Sequence, residues 1–302
     1  MIDITRPGKN MLSLNSPVMA ASGVLGFGDA YRDIINFEVL GALVTNPVTY
    51  EPYSPAGGMR VVHLDAGCVV HTGMPNPGLS KVLAKYRDLW TMLPLPVILH
   101  LVGTTPEHVR KSASRVEVED AVNALELGLN DDITPEEAHQ LVRAAVERTE
   151  KPVMVRLPLQ DAYAIADAVV EAGAATLVVA APPRGTGRDK FSGQLVTGRV
   201  YGPLVLPIAL RVVERLAQRI NIPLIGAGGI HAPQDARDYI EAGAVAVQVD
   251  AVTWIHPKML EIIARDLSGL VVTREVGALP DEWYPGIGET TSKMKREGPP
   301  PE

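Results

Sequence analysis

The stretch that decides the fold is residues 221–250, NIPLIGAGGIHAPQDARDYIEAGAVAVQVD. It contains a short apolar run, a turn with three glycines, a helical pattern and a second apolar run. Glycine just past the end of a helix is a common C-cap, and the β-branched residues that follow it are typical of a strand buried on both faces. The stretch therefore predicts a strand, a glycine turn, a helix and a second buried strand.

The same pattern recurs along the chain. Helical periodicity is clearest at residues 134–150, where Thr134, Pro135 and Glu137 form an N-cap with a capping box. Eight runs read as strands, namely 16–22, 40–45, 95–101, 123–129, 151–157, 171–181, 222–227 and 241–249. Eight strands alternating with helices, without a composition shift, predict a single (β/α)₈ TIM barrel over residues 1–277 and an irregular tail over 278–302.

Composition restricts the partners and the compartment. The 302 residues are 46% hydrophobic and 21% charged, so the chain can bury a large core. A net charge of -7 argues against nucleic acid as a main partner. Cys68 is the only cysteine and no apolar run could cross a bilayer, so we expect no disulfide, no membrane association and a cytoplasmic protein. No acidic residue stands at ligand spacing from His63 and His71, so no metal is predicted.

Two long connections, residues 46–80 and 182–206, are rich in glycine and proline. Both follow strands, so they lie at the C-terminal face, where a barrel builds its site. Loops of this length are usually functional or disordered. Arg184, Arg188 and Lys190 in the second connection either clamp an anionic substrate or lie on a solvated loop.

The glycine turn comprises Gly226, Gly228 and Gly229. It is not the dinucleotide fingerprint, because the sixth position is His231 instead of glycine. Backbone N–H groups at a helix N-terminus after the seventh strand favour a phosphate site. The alternative is a tight turn that needs positive φ and binds nothing.

Five segments carry a resemblance to a known family: SPVMAASGVLGFG (16–28), GALVT followed by VT (41–49), GMPNPG (73–78), residues 202–230 and AGAVAVQV (242–249). Together they resemble class 1 dihydroorotate dehydrogenases, which are FMN-binding barrels that oxidise dihydroorotate to orotate. The resemblance implies FMN, a small-molecule substrate and a homodimer. It places cofactor contacts at Ala21, Ser22, Gly23, Asn46, Arg156, Gly202, Gly228, Gly229, Asp250 and Ala251, and substrate contacts are expected at Asn76, Asn130 and Arg184.

Departures from the family pattern fall at the catalytic positions. In the strand-four motif, here ELGLNDDI (126–133), the substrate-binding Asn is Gly128 and the catalytic Cys or Ser is Asp131. Other family positions differ as well: a Lys is Asn46, a second Lys is Arg156, two Asn are Val70 and Ala181, and Gly-Thr is Asp250-Ala251. A buried polar group left unpaired costs about 1–3 kcal/mol. The pattern therefore predicts a substrate other than dihydroorotate.

Two residues are candidates for the missing catalytic base. His100 lies at the end of the third strand, where it acts as general acid or base or is a hydrogen-bonded strand-end histidine. Asp131 is either a desolvated carboxylate base or an ordinary turn residue. Arg199 either pairs with Asp250 or reaches the cofactor phosphate.

Three functions are compatible with this pattern. The first is an FMN-dependent oxidoreductase that transfers hydride between a small substrate and flavin. The second is an inactive paralogue that serves as a binding or scaffold subunit. The third is a flavin-free barrel that binds a phosphorylated metabolite as an isomerase or lyase.

Overall fold

The computed structural model describes residues 1–8 and 11–269. The strands are β1 (Ile2–Asp3), β2 (Ser13–Leu14), β3 (Val18–Ala20), β4 (Leu43–Val44), β5 (Val61–Leu64), β6 (Gly67–Val70), β7 (Val97–Val102), β8 (Ala124–Gly128), β9 (Val153–Pro158), β10 (Thr176–Ala181), β11 (Arg184–Arg188), β12 (Leu195–Tyr201), β13 (Leu224–Ala227) and β14 (Ala246–Val249). The helices are α1 (Leu79–Thr91), α2 (Pro106–Glu117), α3 (Pro135–Val146), α4 (Ala162–Glu171), α5 (Leu206–Ala217), α6 (Pro233–Glu241), α7 (Val252–Ile255) and α8 (Met259–Leu267), with 3₁₀ turns at Phe37–Val39 and Pro203–Val205.

Eight parallel strands close into a barrel in the order β3–β4–β7–β8–β9–β10–β13–β14. Each predicted run overlaps one of these strands, so the predicted (β/α)₈ TIM barrel is confirmed. One unit is irregular, because turns and a 3₁₀ turn stand in place of a helix between β3 and β4. The predicted tail, residues 278–302, lies outside the described residues.

The predicted capping box begins α3. The Thr134 hydroxyl accepts the N–H of Glu137 at 3.2 Å, and the Glu137 carboxylate accepts the N–H of Thr134 at 2.9 Å. Two of the four orphan N–H groups of the helix start are thereby satisfied. Ala138, Leu141 and Val142 are buried, as the helical spacing predicts.

An apolar layer fills the lower part of the barrel. Every barrel strand contributes to it, because alternate residues of a strand face the same side. The layer contains Met19, Val44, Ile98, Ala124, Met154, Val178, Ile225 and Ala246. The hairpin of β1 and β2 packs Ile4 and Leu14 into the same cluster, so it closes the N-terminal end of the barrel.

The two long connections are not simply loops. They contribute β5, β6, β11 and β12 to one antiparallel sheet in the order β11–β12–β6–β5. Tyr201 at the end of β12 stacks edge-on against Trp254, which follows β14, at 4.8 Å between ring centroids. This mouth sheet therefore lies across the C-terminal opening of the barrel. Its strands were not predicted: β5–β6 and β11–β12 are two hairpins, and only the pairing of β6 with β12, far apart in the chain, joins them into one sheet.

Candidate active site

A polar layer lies two residues above the apolar layer, towards the carboxyl ends of the strands. The strand alternation places at this level Ala21, Asn46, His100, Glu126, Arg156, Ala180, Ala227 and Gln248. Four of these side chains are polar and buried, and they come from β7, β8, β9 and β14. The sequence predicted His100 and Arg156 as site residues and missed Glu126 and Gln248. The sequence signal that could have found Glu126 and Gln248 was the strand alternation, which places both at the same inward-facing level as His100 and Arg156.

The four buried side chains form one hydrogen-bonded network. Glu126 lies at its centre: its Oε1 is 2.7 Å from His100 Nδ1, and its Oε2 accepts Gln248 Nε2 at 2.5 Å. Arg156 Nη1 donates to Gln248 Oε1 at 2.7 Å and lies 3.6 Å from Glu126 Oε1. Because β8 and β14 lie on opposite sides of the barrel, the bond between Glu126 and Gln248 crosses the lumen.

Glu126 is a fully buried carboxylate. Burial alone raises its pKa, but the hydrogen bond and charge of His100, the charge of Arg156 and the Gln248 amide together hold the pKa of Glu126 below its usual value. Glu126 is therefore ionised at neutral pH. An ionised carboxylate only accepts hydrogen bonds, which defines the direction of the bonds around it.

The ring of His100 occupies the space beside Gly128. A Cβ at position 128 would lie 2.7 Å from His100 Nε2 and 3.0 Å from Cε1. This Nε2 takes part in no hydrogen bond among the described residues, while the side chain is 8% exposed. The imidazole thus presents one free nitrogen at the level where β8 ends.

The end of β4 carries an unpaired polar atom. The backbone of this segment is tied to its neighbours, because Ser22 Oγ donates to Thr45 O at 2.8 Å and Thr45 Oγ1 accepts the N–H of His100 at 3.0 Å. Among the described residues, Asn46 Oδ1 is buried and has no hydrogen-bond partner. Ala21 is buried nearby, and Gly23, with φ +92°, is exposed with open space where a Cβ would stand.

The glycine turn has local reasons for each of its three glycines. Gly228 and Gly229 have φ of +111° and +73°, and a Cβ on Gly229 would lie 2.3 Å from Leu206 N. A Cβ on Gly226 would meet the ring of Tyr239 at 2.4 Å. The turn conformation therefore explains the glycines without a ligand. The phosphate hypothesis is supported instead by the N–H groups of Gly228 and Gly229, which donate no hydrogen bond within the described residues.

A carboxylate lies at the other half of the predicted phosphate site. Asp250 is buried, and its Oδ1 accepts the N–H of Ala251 at 2.6 Å. Burial raises the pKa of Asp250, while this backbone bond and the charges of Arg156 and His231 oppose the shift. Burial and the charge of Asp250 also raise the pKa of Tyr201 to about 12. Tyr201 is therefore a neutral phenol at this site.

Asp131 is paired with arginines of the mouth sheet. Its Oδ1 accepts Arg199 Nη1 at 2.6 Å, and its Oδ2 lies 3.7 Å from Arg184 Nε. Arg199 and Arg184 are register partners on β12 and β11. The sequence predicted Asp250 or the cofactor phosphate as the partner of Arg199. In the structure, the carboxylate that pairs with Arg199 is instead that of Asp131.

The other predicted substrate residues brace the loops. Asn76 is buried, and its Oδ1 accepts the N–H of Thr49, the hydroxyl of Thr49 and the N–H of Gly78 at 3.0–3.2 Å. Its Nδ2 donates to Met74 O at 3.1 Å, which leaves one amide hydrogen for a ligand. Asn130 is exposed and donates to Gly103 O at 3.1 Å. Gly202 packs against the mouth sheet, because a Cβ on it would lie 2.3 Å from Ala66 O.

Residues 1–8 and 11–269 hold no group of three or more His, Cys, Asp or Glu side chains arranged for a metal ion. None of the helices in this part of the chain combines the length and the apolarity that a membrane crossing requires.

Comparison with known proteins assigns this arrangement to a family. The family model described as dihydroorotate dehydrogenase matches residues 9–271. The chain is 32% identical over 286 residues to dihydroorotate dehydrogenase B (NAD(+)), catalytic subunit, of Geobacillus kaustophilus (strain HTA426), covering 89% of this chain and 91% of that protein. It is 32% identical over 293 residues to the protein of the same name from Geobacter sulfurreducens (strain ATCC 51573 / DSM 12127 / PCA), covering 89% and 95%.

Proposed function

The chain belongs to the dihydroorotate dehydrogenase family, and we propose that it is an FMN-dependent oxidoreductase that acts on a small substrate other than dihydroorotate. The observation that carries the proposal is the polar layer: His100, held by Glu126, presents a free ring nitrogen beside Gly128, and Arg156 lies 3.6 Å from the same Glu126 carboxylate. A barrel interior that served packing alone would have no need of a buried ion pair, which is expensive to desolvate.

The residues at the mouth fit FMN. Asn46 Oδ1 is a buried acceptor without a donor, and the N–H groups of Gly228 and Gly229 are donors without an acceptor among the described residues. Arg156 supplies the positive charge that stabilises an electron-rich flavin pyrimidine. We assign the ring to Ala21, Ser22, Gly23, Asn46 and Arg156, and the phosphate to Gly202, Gly228, Gly229, Asp250 and Ala251.

Asp250 accommodates a phosphate only in its protonated form. A carboxylate beside a dianion in a partly buried site is repulsive, whereas a carboxylic acid donates a hydrogen bond to it. Since burial already raises the pKa of Asp250, the proton costs less here than on an exposed aspartate.

His100 is the group that moves the proton. When bound, FMN supplies the two-electron acceptor of the reaction. His100 Nε2 accepts the proton that the substrate loses, and the ionised Glu126 compensates the charge of the resulting imidazolium. Asp131 is the weaker candidate base, because its two oxygens already face Arg199 and Arg184.

The substrate differs from dihydroorotate because the polar groups differ. Position 128 holds no side chain and His100 fills the adjacent space, while Ala181 offers no hydrogen-bonding side chain. The Asn76 side chain is bonded to its own loop through Oδ1 and one amide hydrogen, so only the second amide hydrogen remains for a substrate. A planar polar carboxylate would lose about 1–3 kcal/mol for each group left unpaired.

To test the proposal, the full chain is loaded with FMN and freed of unbound flavin. The flavin absorption spectrum is then recorded under anaerobic conditions as candidate substrates with a CH–CH bond or an alcohol group are added. We expect a bound flavin spectrum that one substrate class bleaches, and a bleaching rate about 10²–10⁴-fold lower in His100→Asn. Failure to bind FMN would contradict the proposal and favour a flavin-free barrel. Bound FMN that no substrate reduces would favour a binding subunit instead.

A further inference from the structure

The hydrogen-bonded chain from Arg156 to His100 has a single direction. A guanidinium has donors and no acceptor, so the atom of Gln248 that faces Arg156 is the carbonyl oxygen. The amide nitrogen of Gln248 must then face Glu126, to which it donates at 2.5 Å. Glu126 is ionised and accepts both this bond and the bond from His100.

This direction determines which nitrogen of His100 carries hydrogen. Nδ1 lies 2.7 Å from an oxygen that only accepts, so Nδ1 bears a hydrogen, and in the neutral imidazole Nε2 has the lone pair. The same Nε2 is the atom that lies 2.7 Å from where a Cβ on Gly128 would stand, on the open side of the ring.

Hydrogen bonds hold both ends of the network, at the His100 backbone and at Arg156. The N–H of His100 donates to Thr45 Oγ1 at 3.0 Å, and the His100 carbonyl accepts the N–H of Val48 at 2.9 Å. Arg156 Nη2 donates to Ala180 O at 3.4 Å, which holds the far end of the chain.

We infer that Glu126 and Gln248 are positioning residues that hold His100 as the Nδ1–H tautomer, with Nε2 ready to accept a proton from the substrate. The step balances on the substrate: an X–H bond breaks and its proton bonds to Nε2, while its electron pair forms the product's new double bond as the adjacent C–H bond breaks and its hydrogen leaves as hydride. Bound FMN would be the two-electron acceptor for that hydride. The inference deepens the proposed function. The proton transfer to His100 rests on that proposed function, whereas the tautomer of His100 does not.

The test begins with ¹⁵N NMR of the imidazole in the full chain without flavin, with the signal assigned by its loss in His100→Asn. We expect a protonated Nδ1 and a bare Nε2 in the wild type. A neutral wild-type imidazole with its hydrogen on Nε2 instead of Nδ1 overturns the inference, and only the assignment variant, His100→Asn, has to fold.

Two variants test the roles of the positioning residues. Glu126→Gln keeps the side-chain volume; because Gln248 Nε2 donates to the remaining carbonyl oxygen, the new amide NH₂ faces His100 Nδ1 and favours the second tautomer. Gln248→Met keeps the volume and removes the orienting amide, so we expect the second tautomer to become populated there as well. Glu137→Gln, a capping-box change on α3, is the matched control and leaves the tautomer unchanged. An unchanged tautomer in Glu126→Gln overturns the inference.

The catalytic role of the positioning residues is measured with the substrate that reduces the flavin in the anaerobic test. Gln248→Met should lower the rate constant of flavin reduction about 10- to 100-fold with little change in KM, as the loss of an orienting partner does. An unchanged rate constant in a variant with a shifted tautomer overturns the positioning role. A wild type that no substrate reduces contradicts the proposed function, and the tautomer measurement then decides this inference alone.

Discussion

Gly128 and His100 lie on the neighbouring strands β8 and β7, and the imidazole occupies the space that a side chain at position 128 would need. In the sequence, Gly128 is a departure from the family pattern and His100 is a candidate base, and no local signal connects them. The structure joins them, because neither the family's side chain at 128 nor a rotated ring at 100 fits while the other residue stays as it is. Glu126 then holds the ring in this position.

Gly128→Ala tests this dependence. The new Cβ would lie 2.7 Å from His100 Nε2, so the ring must move away from Glu126. Loss of a hydrogen bond to a charged group costs about 1.5–3 kcal/mol in the free energy of unfolding, which denaturant titration measures. Gly103→Ala is the control, because its nearest neighbours stand at 3.4 Å and no loss is expected. Equal stability of Gly128→Ala and wild type would refute the steric pairing.

Because the buried Asp250 carboxyl group is proposed to contact the phosphate, we expect FMN affinity to depend on pH. Burial raises the pKa of Asp250, so the neutral acid predominates at low pH and the repulsive carboxylate appears as pH rises through that pKa. We expect FMN affinity to fall with rising pH, while riboflavin, which lacks the phosphate, shows little change. Asp250→Asn should remove this fall and bind FMN at least about tenfold tighter at high pH, because two like charges in such a site repel by more than ~1.4 kcal/mol.

Fluorescence titration of both flavins across pH is the measurement for Asp250. Glu241→Gln, an exposed carboxylate at the end of α6, provides the control and should follow the wild-type profile. Parallel pH profiles for FMN and riboflavin in the wild type would show that Asp250 does not contact the phosphate.

At the scale of elements, the barrel strands were predictable and the mouth sheet was not. Barrel strands are marked by local signals, such as the Gly-Ala pair before β14 and the proline before β13. The segment RGTGR has no apolar alternation and becomes β11 only because it pairs with β12. Tyr201 on β12 is in register with Cys68 on β6, a pairing that no local pattern encodes. The role of Asp131 was equally hidden, since its arginine partners lie on this sheet.

The ion pair between Asp131 and Arg199 should hold the β11–β12 hairpin on the barrel. Arg199→Met removes a bond of 2.6 Å between side chains that are 30% and 11% exposed. We expect amide hydrogen exchange in β11 and β12 to accelerate about 5- to 30-fold, which corresponds to one or two kcal/mol in a local opening.

Lys190→Met is the matched control on the same hairpin. Lys190 pairs with Asp65 at 3.3 Å, but both side chains are highly exposed, so the pair should contribute little. Equal acceleration of exchange in the two variants, or none in Arg199→Met, would contradict the docking role of Asp131.

At the scale of the whole molecule, the N-terminal end of the barrel contributes mainly to stability, and the C-terminal end carries the candidate active site. The β1–β2 hairpin fills the N-terminal end with Ile4 and Leu14, while the polar layer and the mouth sheet occupy the other end. Strand alternation could place His100 and Arg156 at the mouth from sequence alone. The hairpin was not foreseen, because two strands of two residues each carry no periodicity.

Leu14→Ala tests this division. Leu14 is 1% exposed in the apolar layer, so truncation should lower the free energy of unfolding by about 2–5 kcal/mol. FMN affinity at the opposite end should stay unchanged in the folded protein. Met11→Ala, at a 44% exposed side chain of the same segment, should change stability by no more than about 0.5 kcal/mol. A large loss of FMN affinity in folded Leu14→Ala would contradict the separation of the two ends.

The central claim is that this member of the family keeps the flavin chemistry and has changed its substrate. The most direct measurement is the visible spectrum of the FMN-loaded chain under anaerobic conditions, before and after dihydroorotate is added. We expect a bound flavin spectrum that dihydroorotate leaves oxidised. Bleaching of the flavin band by dihydroorotate at catalytic rates would contradict the central claim.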